Sequence, residues 1–127
     1  MLRLIRGLPG SGKTMRAKQF PYFHVEIDMF RYQNGKYIYR SEEDRIIAAR
    51  CYEVVKTLLH YGSDVVVANT FTLRKYIEPY HELAVNAGVD FVVETMTGQY
   101  RSKHNVPREI IERMYQEWQD WPGEIIL

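Results

Sequence analysis

Residues 7–14 read Gly-Leu-Pro-Gly-Ser-Gly-Lys-Thr, a complete G-x-x-x-x-G-K-[ST] phosphate-binding loop. Each position answers a physical need. Gly7, Gly10 and Gly12 can take backbone angles that a β-carbon forbids, so consecutive N–H groups can turn inward onto phosphate oxygens. Lys13 is placed to reach β- and γ-phosphates as a point charge, and the Thr14 hydroxyl is the expected magnesium ligand. Gly10, Ser11, Gly12, Lys13 and Thr14 are therefore the candidate nucleotide-binding residues, with ATP and Mg2+ as expected cofactors. The flanks agree with this reading. Leu2, Leu4 and Ile5 make a short apolar strand before the loop. A helix predicted over 13–20 turns its positive N-terminal end toward the anion.

Outward from the loop, strand and helix signals alternate. Strands are predicted over 2–6, 23–27, 64–68 and 89–94. The run Asp64-Val-Val-Val-Ala68 is apolar throughout, as a strand covered on both faces of a parallel sheet must be. Asn34-Gly35 between Tyr32 and Tyr37-Ile38-Tyr39 signals a hairpin. Ser41 with Asp44 has capping-box spacing. It opens a helix with Ile47, Cys51, Val54, Val55 and Leu58 on one face, ending near Gly62. Thr72 is a cap for the next helix, to Asn86, which Pro79 either kinks or restarts. Pro107 starts the last helix, carrying Ile110, Ile111, Met114 and Trp118 on one face and stopped at Trp121-Pro122-Gly123. The alternation implies a doubly wound α/β fold with a mainly parallel sheet and helices on both faces. In that architecture ligands bind at the carboxyl ends of the strands. The loop, Asp28, Asn69 and the polar, basic segment 97–106 are expected to converge there.

The composition sets the outer limits. With 127 residues, 46% of them hydrophobic and 26% charged, the chain is expected to form one soluble domain. Seventeen basic and 16 acidic residues leave a net charge of +1, so no global field draws it to nucleic acid or membrane. Its one cysteine, Cys51, excludes a disulfide framework or a cysteine-based zinc site. No apolar run is long enough to span a bilayer, and Met1 leads straight into the first strand. A cytoplasmic compartment is the expectation.

Moving a phosphoryl group requires a held triphosphate, a metal, a group that orients the acceptor and positive charge around the transfer. Asp28, read as the end of the second strand, can accept or orient the acceptor proton; otherwise it is a turn or cap aspartate. Arg31 can hold an anionic part of the substrate, or be a solvated surface arginine. Segment 97–106 can close as a lid whose Arg101 neutralises phosphate charge, or be a charged connection. Tyr32, Tyr37 and Tyr39 can stack a base, though hairpin packing is the commoner use of such spacing. His24, His60 and His81 have no metal-like spacing and read as structural, as does His104. Cys51 lies on the apolar face of its helix. The third strand ends Val67-Ala68-Asn69-Thr70 without an aspartate, where P-loop ATPases hold a second magnesium-binding carboxylate. That absence argues against a motor or switch ATPase and tolerates a small kinase.

These residues together resemble the small P-loop kinases of the polynucleotide 5′-hydroxyl kinase type and the related AAA-like P-loop kinases. The similarity covers most of the chain. It runs from Arg6–Thr14 through Asp28 and its following aromatic, Gly35, Tyr37, Val66–Thr70 and Pro79-Tyr80. It continues through Arg101-Ser-Lys-His-Asn-Val-Pro107 to Arg113-Met114. The resemblance implies that Asp28 activates the acceptor hydroxyl, that Arg31 holds the substrate phosphate, and that Arg101 is the lid arginine on the ATP phosphates. The chain departs from the family's pattern at Ala68 and Phe71 around the third strand's end, and at Ser102 and Asn105 in the lid block.

The resulting expectation is an ATP-dependent kinase that transfers the γ-phosphate to a hydroxyl. Its catalytic residues are Lys13, Asp28 and Arg101, and its favoured acceptor is a 5′-hydroxyl of RNA or DNA. A nucleoside or other small-molecule acceptor is the first alternative. An ATP-binding regulatory module without an acceptor is the second.

Overall fold

The computed structural model describes residues 1–100 and 105–127. Of the segment 97–106 expected to form a lid, Arg101, Ser102, Lys103 and His104 lie outside the described residues. Strand β1 (Leu2–Arg6) leads through the loop into α1 (Lys13–Ala17), followed by β2 (Phe23–Val25) and a 3-10 turn, Ile27–Arg31. A hairpin of β3 (Tyr32–Gln33) and β4 (Lys36–Tyr37) precedes α2 (Asp44–His60). Then come β5 (Val65–Ala68), α3 (Arg74–Ala87), β6 (Phe91–Thr95), α4 (Arg108–Glu117) and β7 (Ile125–Ile126). The main sheet has the order β2-β5-β1-β6-β7, with all its pairs parallel.

Burial on both faces explains this order. Leu2 and Leu4 of β1 point with Val65, Val67 and Val93 into a core closed by Cys51, Val55 and Leu59 of α2 and by Ile77, Tyr80 and Leu83 of α3. The opposite pleat of the same strands, Ile5, Val66 and Ala68, packs on Ala17 and Phe20. Helices on both faces leave only the strand ends for polar chemistry.

The predicted elements are present, with instructive shifts at their ends. Helix α1 stops at Ala17 rather than Gln19 or Phe20, because Phe20 turns under the sheet to pack against the Ile5–Val66 cluster. Strand β2 stops at Val25 because the Ile27 N–H is taken by the Asn69 Oδ1 at 2.8 Å, which turns the chain into the 3-10 segment. Asp28 therefore sits on that turn, not in the strand. The Ser41–Asp44 capping box does not form. Residues 41–43 make a 3-10 turn without a side-chain cap, and the Asp44 carboxylate goes to Arg31 and Tyr39 instead. Thr72 does not cap α3 either; its first N–H, on Arg74, donates to the Gln119 Oε1 at 2.9 Å. Pro79 is carried inside an uninterrupted α3. Asn34 and Gly35 both take positive φ, 52° and 79°, the geometry that a two-residue hairpin turn demands.

The C-terminal segment closes the sheet. On α4, Ile110, Ile111 and Met114 are half-buried on the face their spacing predicts. Beyond it, β7 adds an unforeseen edge strand to β6. The clasp is Arg6, fully buried at the end of β1. Its guanidinium donates to the Phe71 and Gln119 carbonyls at 2.7 Å each, lies 3.3 Å from Glu124, and stacks on the Trp118 ring at 3.9 Å. Replacing Arg6 with alanine takes the guanidinium donor from the Phe71 and Gln119 carbonyls and the countercharge from the buried Glu124 carboxylate. Urea denaturation is expected to show a loss of about 3–5 kcal/mol.

Candidate active site

The phosphate-binding loop joins β1 to α1 in the conformation its glycines were read to require. Gly10 and Gly12 have φ of 79° and 100°, and a β-carbon on Gly7 would sit 2.2 Å from the Ser11 Oγ. That Ser11 oxygen is buried without a protein partner. A tight backbone cradle with an unsatisfied buried hydroxyl fits an oxyanion ligand. Lys13 donates to the Leu8 carbonyl at 3.0 Å across the loop. Burial brings the Lys13 ammonium down to about 8, against the opposing pull of the Glu26 and Asp28 charges. Only α1's five residues stand behind the loop, so the dipole aimed at the anion is that of little more than one turn.

Thr14 and the 3-10 turn bring two carboxylates to this edge. The Thr14 hydroxyl donates to the Glu26 Oε1 at 2.8 Å, and the His24 Nε2 lies 2.8 Å from Oε2. Burial works to raise the Glu26 carboxyl, but His24, Thr14 and Lys13 outweigh it and hold it below the usual carboxylate range. Asp28 accepts from the Tyr37 hydroxyl at 3.0 Å and stands 3.9 Å from the Arg31 Nε. The Asp28 side chain keeps 44% of its surface exposed, enough to meet an incoming group. Burial, and then Asp28, push the Tyr37 phenol up.

Arg31 is beside Asp28 but is not a solvated surface residue. It is buried, donates to the Asp44 Oδ1 at 2.6 Å, and packs on the Tyr39 ring. Tyr32 and Tyr37 meet edge to face across the hairpin, while Tyr32 and Tyr39 remain exposed. Asn69 lies at the same edge as an anchor for Ile27, and Ala68 is buried under α1. Tyr100, within segment 97–106, donates its N–H to the Gly10 carbonyl at 2.6 Å. A β-carbon on Gly12 would lie 3.4 Å from its ring. Arg101 itself lies outside the described residues.

Sequence reasoning overlooked Glu26 and treated His24 as structural. The available signal was period two: His24 and Glu26 share one face of the strand predicted over 23–27, which runs toward the active edge. Cys51 is buried as expected, with its thiol pushed up by burial and 3.4 Å from the Tyr80 hydroxyl. No helix among the described residues is long and apolar enough to cross a membrane.

The sheet order and the loop-to-helix connection define a P-loop kinase fold. The chain belongs to the AAA domain family AAA_33, which it matches over residues 2–105. Among solved structures it is similar to Chaetomium thermophilum Kti12 in complex with ADP-AlF3, with 18% identity and a TM-score of 0.71 over 100% of this chain and 88% of that one. It is also similar to the Mycobacterium tuberculosis APS kinase CysC in complex with AMPPNP and APS, with 20% identity and a TM-score of 0.62 over 99% and 86%. A chain of the Pnkp1/Rnl/Hen1 RNA repair complex matches at 20% identity and a TM-score of 0.70, over 91% of this chain and 43% of that one. At these identities the likeness is one of fold. No match was found among curated proteins.

Proposed function

We propose that this chain is an ATP-dependent phosphotransferase that moves the γ-phosphoryl group to a hydroxyl acceptor. The observation that carries the reading is the shared strand edge, where Lys13 and Thr14 of a phosphate cradle stand beside the half-exposed Asp28 carboxylate. ATP would sit with its phosphates on Gly10–Thr14, and Lys13 would offset charge on the transferring group. Asp28, held by Tyr37, would orient the acceptor hydroxyl and take its proton. Arg101 would neutralise the phosphates from the lid. The oxygen donors suit Mg2+, which keeps several waters and needs few protein ligands. Among the described residues no cluster of three or more His, Cys, Asp or Glu exists. Thr14 would therefore hold the ion together with water and phosphate oxygens. When bound, Mg2+ would neutralise charge on the triphosphate.

For the acceptor, a polynucleotide 5′-hydroxyl is favoured by the sequence resemblance and by the exposed rings of Tyr32 and Tyr39, which pack on the Asp28 neighbours Tyr37 and Arg31 and on which a terminal base can stack. The solved RNA repair complex that includes Pnkp1 has a chain of this fold. Arg31 would then hold the acceptor's phosphate. One observation favours a small-molecule acceptor instead: Arg31 is buried and already paired with Asp44, so among the described residues it does not open a basic track from Asp28. γ-labelled ATP offered with 5′-hydroxyl RNA, 5′-hydroxyl DNA and nucleosides separates these readings. Label on oligonucleotide ends supports the first, label on nucleosides alone the second. Nucleotide binding with no labelled acceptor would leave a regulatory module and defeat the kinase reading.

The Lys13 ionisation adds a pH signature. Below about pH 8 the free protein already carries the ammonium that the phosphates need. Above it, binding must take up a proton. ATP affinity is therefore expected to fall by up to about tenfold per pH unit above pH 8, and Lys13→Met to flatten the profile. Titration with a fluorescent ATP analogue between about pH 7 and about pH 9.5 reads this directly.

A further inference from the structure

We infer that Glu26 is the positioning carboxylate of the magnesium site, standing in from β2 for the aspartate that the end of β5 lacks. The inference rests on the nucleotide-binding reading above and extends it to a residue outside the loop. Strands β2 and β5 are parallel neighbours, with Val25 opposite Val67. The residue after Val25 therefore stands alongside Ala68, at the sheet edge where β5 offers Ala68, Asn69 and Thr70 but no carboxylate.

The Thr14 hydroxyl has one proton, and it gives that proton to the Glu26 Oε1 at 2.8 Å. A hydroxyl oriented in this way keeps its lone pairs for a cation, and the carboxylate makes the oxygen a better donor to it. Glu26 is held for the task. Its other oxygen is 2.8 Å from the His24 Nε2, its side chain is 12% exposed, and the next backbone N–H is fixed on Asn69. Glu26 is not simply the partner of Lys13, whose Nζ bonds to the Leu8 carbonyl. A cation at Thr14 would meet the negative charge of Glu26 directly or through one of its own waters, the mixed coordination that Mg2+ favours.

The test measures ATP affinity with and without Mg2+ for the whole chain, in wild type, Glu26→Gln and Glu26→Asp. Wild type is expected to bind ATP more tightly with Mg2+. Glu26→Gln should lose about tenfold or more of that tightening. Its magnesium-free ATP binding should be unchanged or stronger, because one negative charge beside the phosphates is gone. Magnesium-free binding also reports that the variant is folded. Glu26→Asp, with its carboxylate drawn back from Thr14, should fall between the two and is the second arm if the glutamine variant folds poorly. Undiminished tightening in both variants would overturn the inference. So would equal losses with and without Mg2+, or a wild type whose ATP affinity ignores Mg2+. A wild type that binds ATP with Mg2+ but labels no acceptor would defeat the kinase reading while leaving this ratio intact.

Discussion

Asp28→Asn is expected to lower phosphoryl transfer by about 10²–10⁴-fold while leaving ATP affinity within about threefold of wild type. The asparagine keeps the size of the side chain and can still accept the 3.0 Å hydrogen bond from Tyr37. What it loses is the ability to take a proton from the acceptor. The loss therefore belongs to the transition state and lowers kcat and kcat/KM together. ATP binding should not suffer, since removing a negative charge beside Lys13 takes away a competitor of the phosphates. Single-turnover transfer from prebound ATP, set beside equilibrium ATP titration, checks both halves. A variant that transfers at the wild-type rate would remove Asp28 from the chemistry. A variant that loses ATP binding would make it part of the nucleotide site instead.

Lys13→Ala should be broader in effect. In the proposed complex the ammonium exchanges the Leu8 carbonyl for phosphate oxygens. A charge-assisted hydrogen bond of this kind contributes about 1.5–3 kcal/mol, so ATP affinity is expected to fall about 10–100-fold. Transfer should fall by a further factor of about 10²–10³, because the same charge faces the oxygens that gain density as the phosphoryl group leaves. The fold itself should tolerate the change. A half-buried ammonium depressed to about 8 is an electrostatic liability in the free protein, and its removal should leave the midpoint of urea denaturation unchanged or raised. Nucleotide affinity equal to wild type would contradict the assignment of Lys13 to the phosphates.

The contrast between these two variants follows from where the residues stand. Lys13 is half-buried in the loop, where in the proposed complex it would act on whatever lies in the cradle. Asp28 is half exposed on the 3-10 turn, outside the cradle, where a group arriving from solvent can meet it. In the proposed reading the site thus has a more enclosed donor side and a more open acceptor side. The acceptor side is framed by Arg31, Tyr37 and Tyr39, with Asp44 closing behind Arg31.

Local physics made much of this visible in the chain. The loop was legible because its glycines, lysine and threonine are needed at fixed offsets. The buried strand β5 was legible because four consecutive apolar residues have no other economical use. The hairpin followed from Asn34-Gly35, whose two positive φ angles few other pairs accept. Features that rest on distant partners were not legible. Strand β2 ends where it does because of Asn69, 42 residues away. Asp44 looks like half of a capping box until Arg31 claims it. Arg6 reads as a flank of the loop, yet it clasps Phe71, Gln119 and Glu124. Strand β7, two residues long, exists only because β6 presents an edge. In the site, Lys13, Thr14, Asp28 and Arg31 do come to one strand edge, whereas Glu26 passed for an ordinary strand residue.

The most direct measurement is a single-turnover reaction of γ-labelled ATP with a 5′-hydroxyl oligoribonucleotide, run with wild type, Asp28→Asn and Lys13→Ala. The account predicts label on the 5′ end with wild type and its near-complete loss in both variants, with ATP still bound by Asp28→Asn. Label that appears only as free phosphate, or that reaches the oligonucleotide equally with Asp28→Asn, would contradict it.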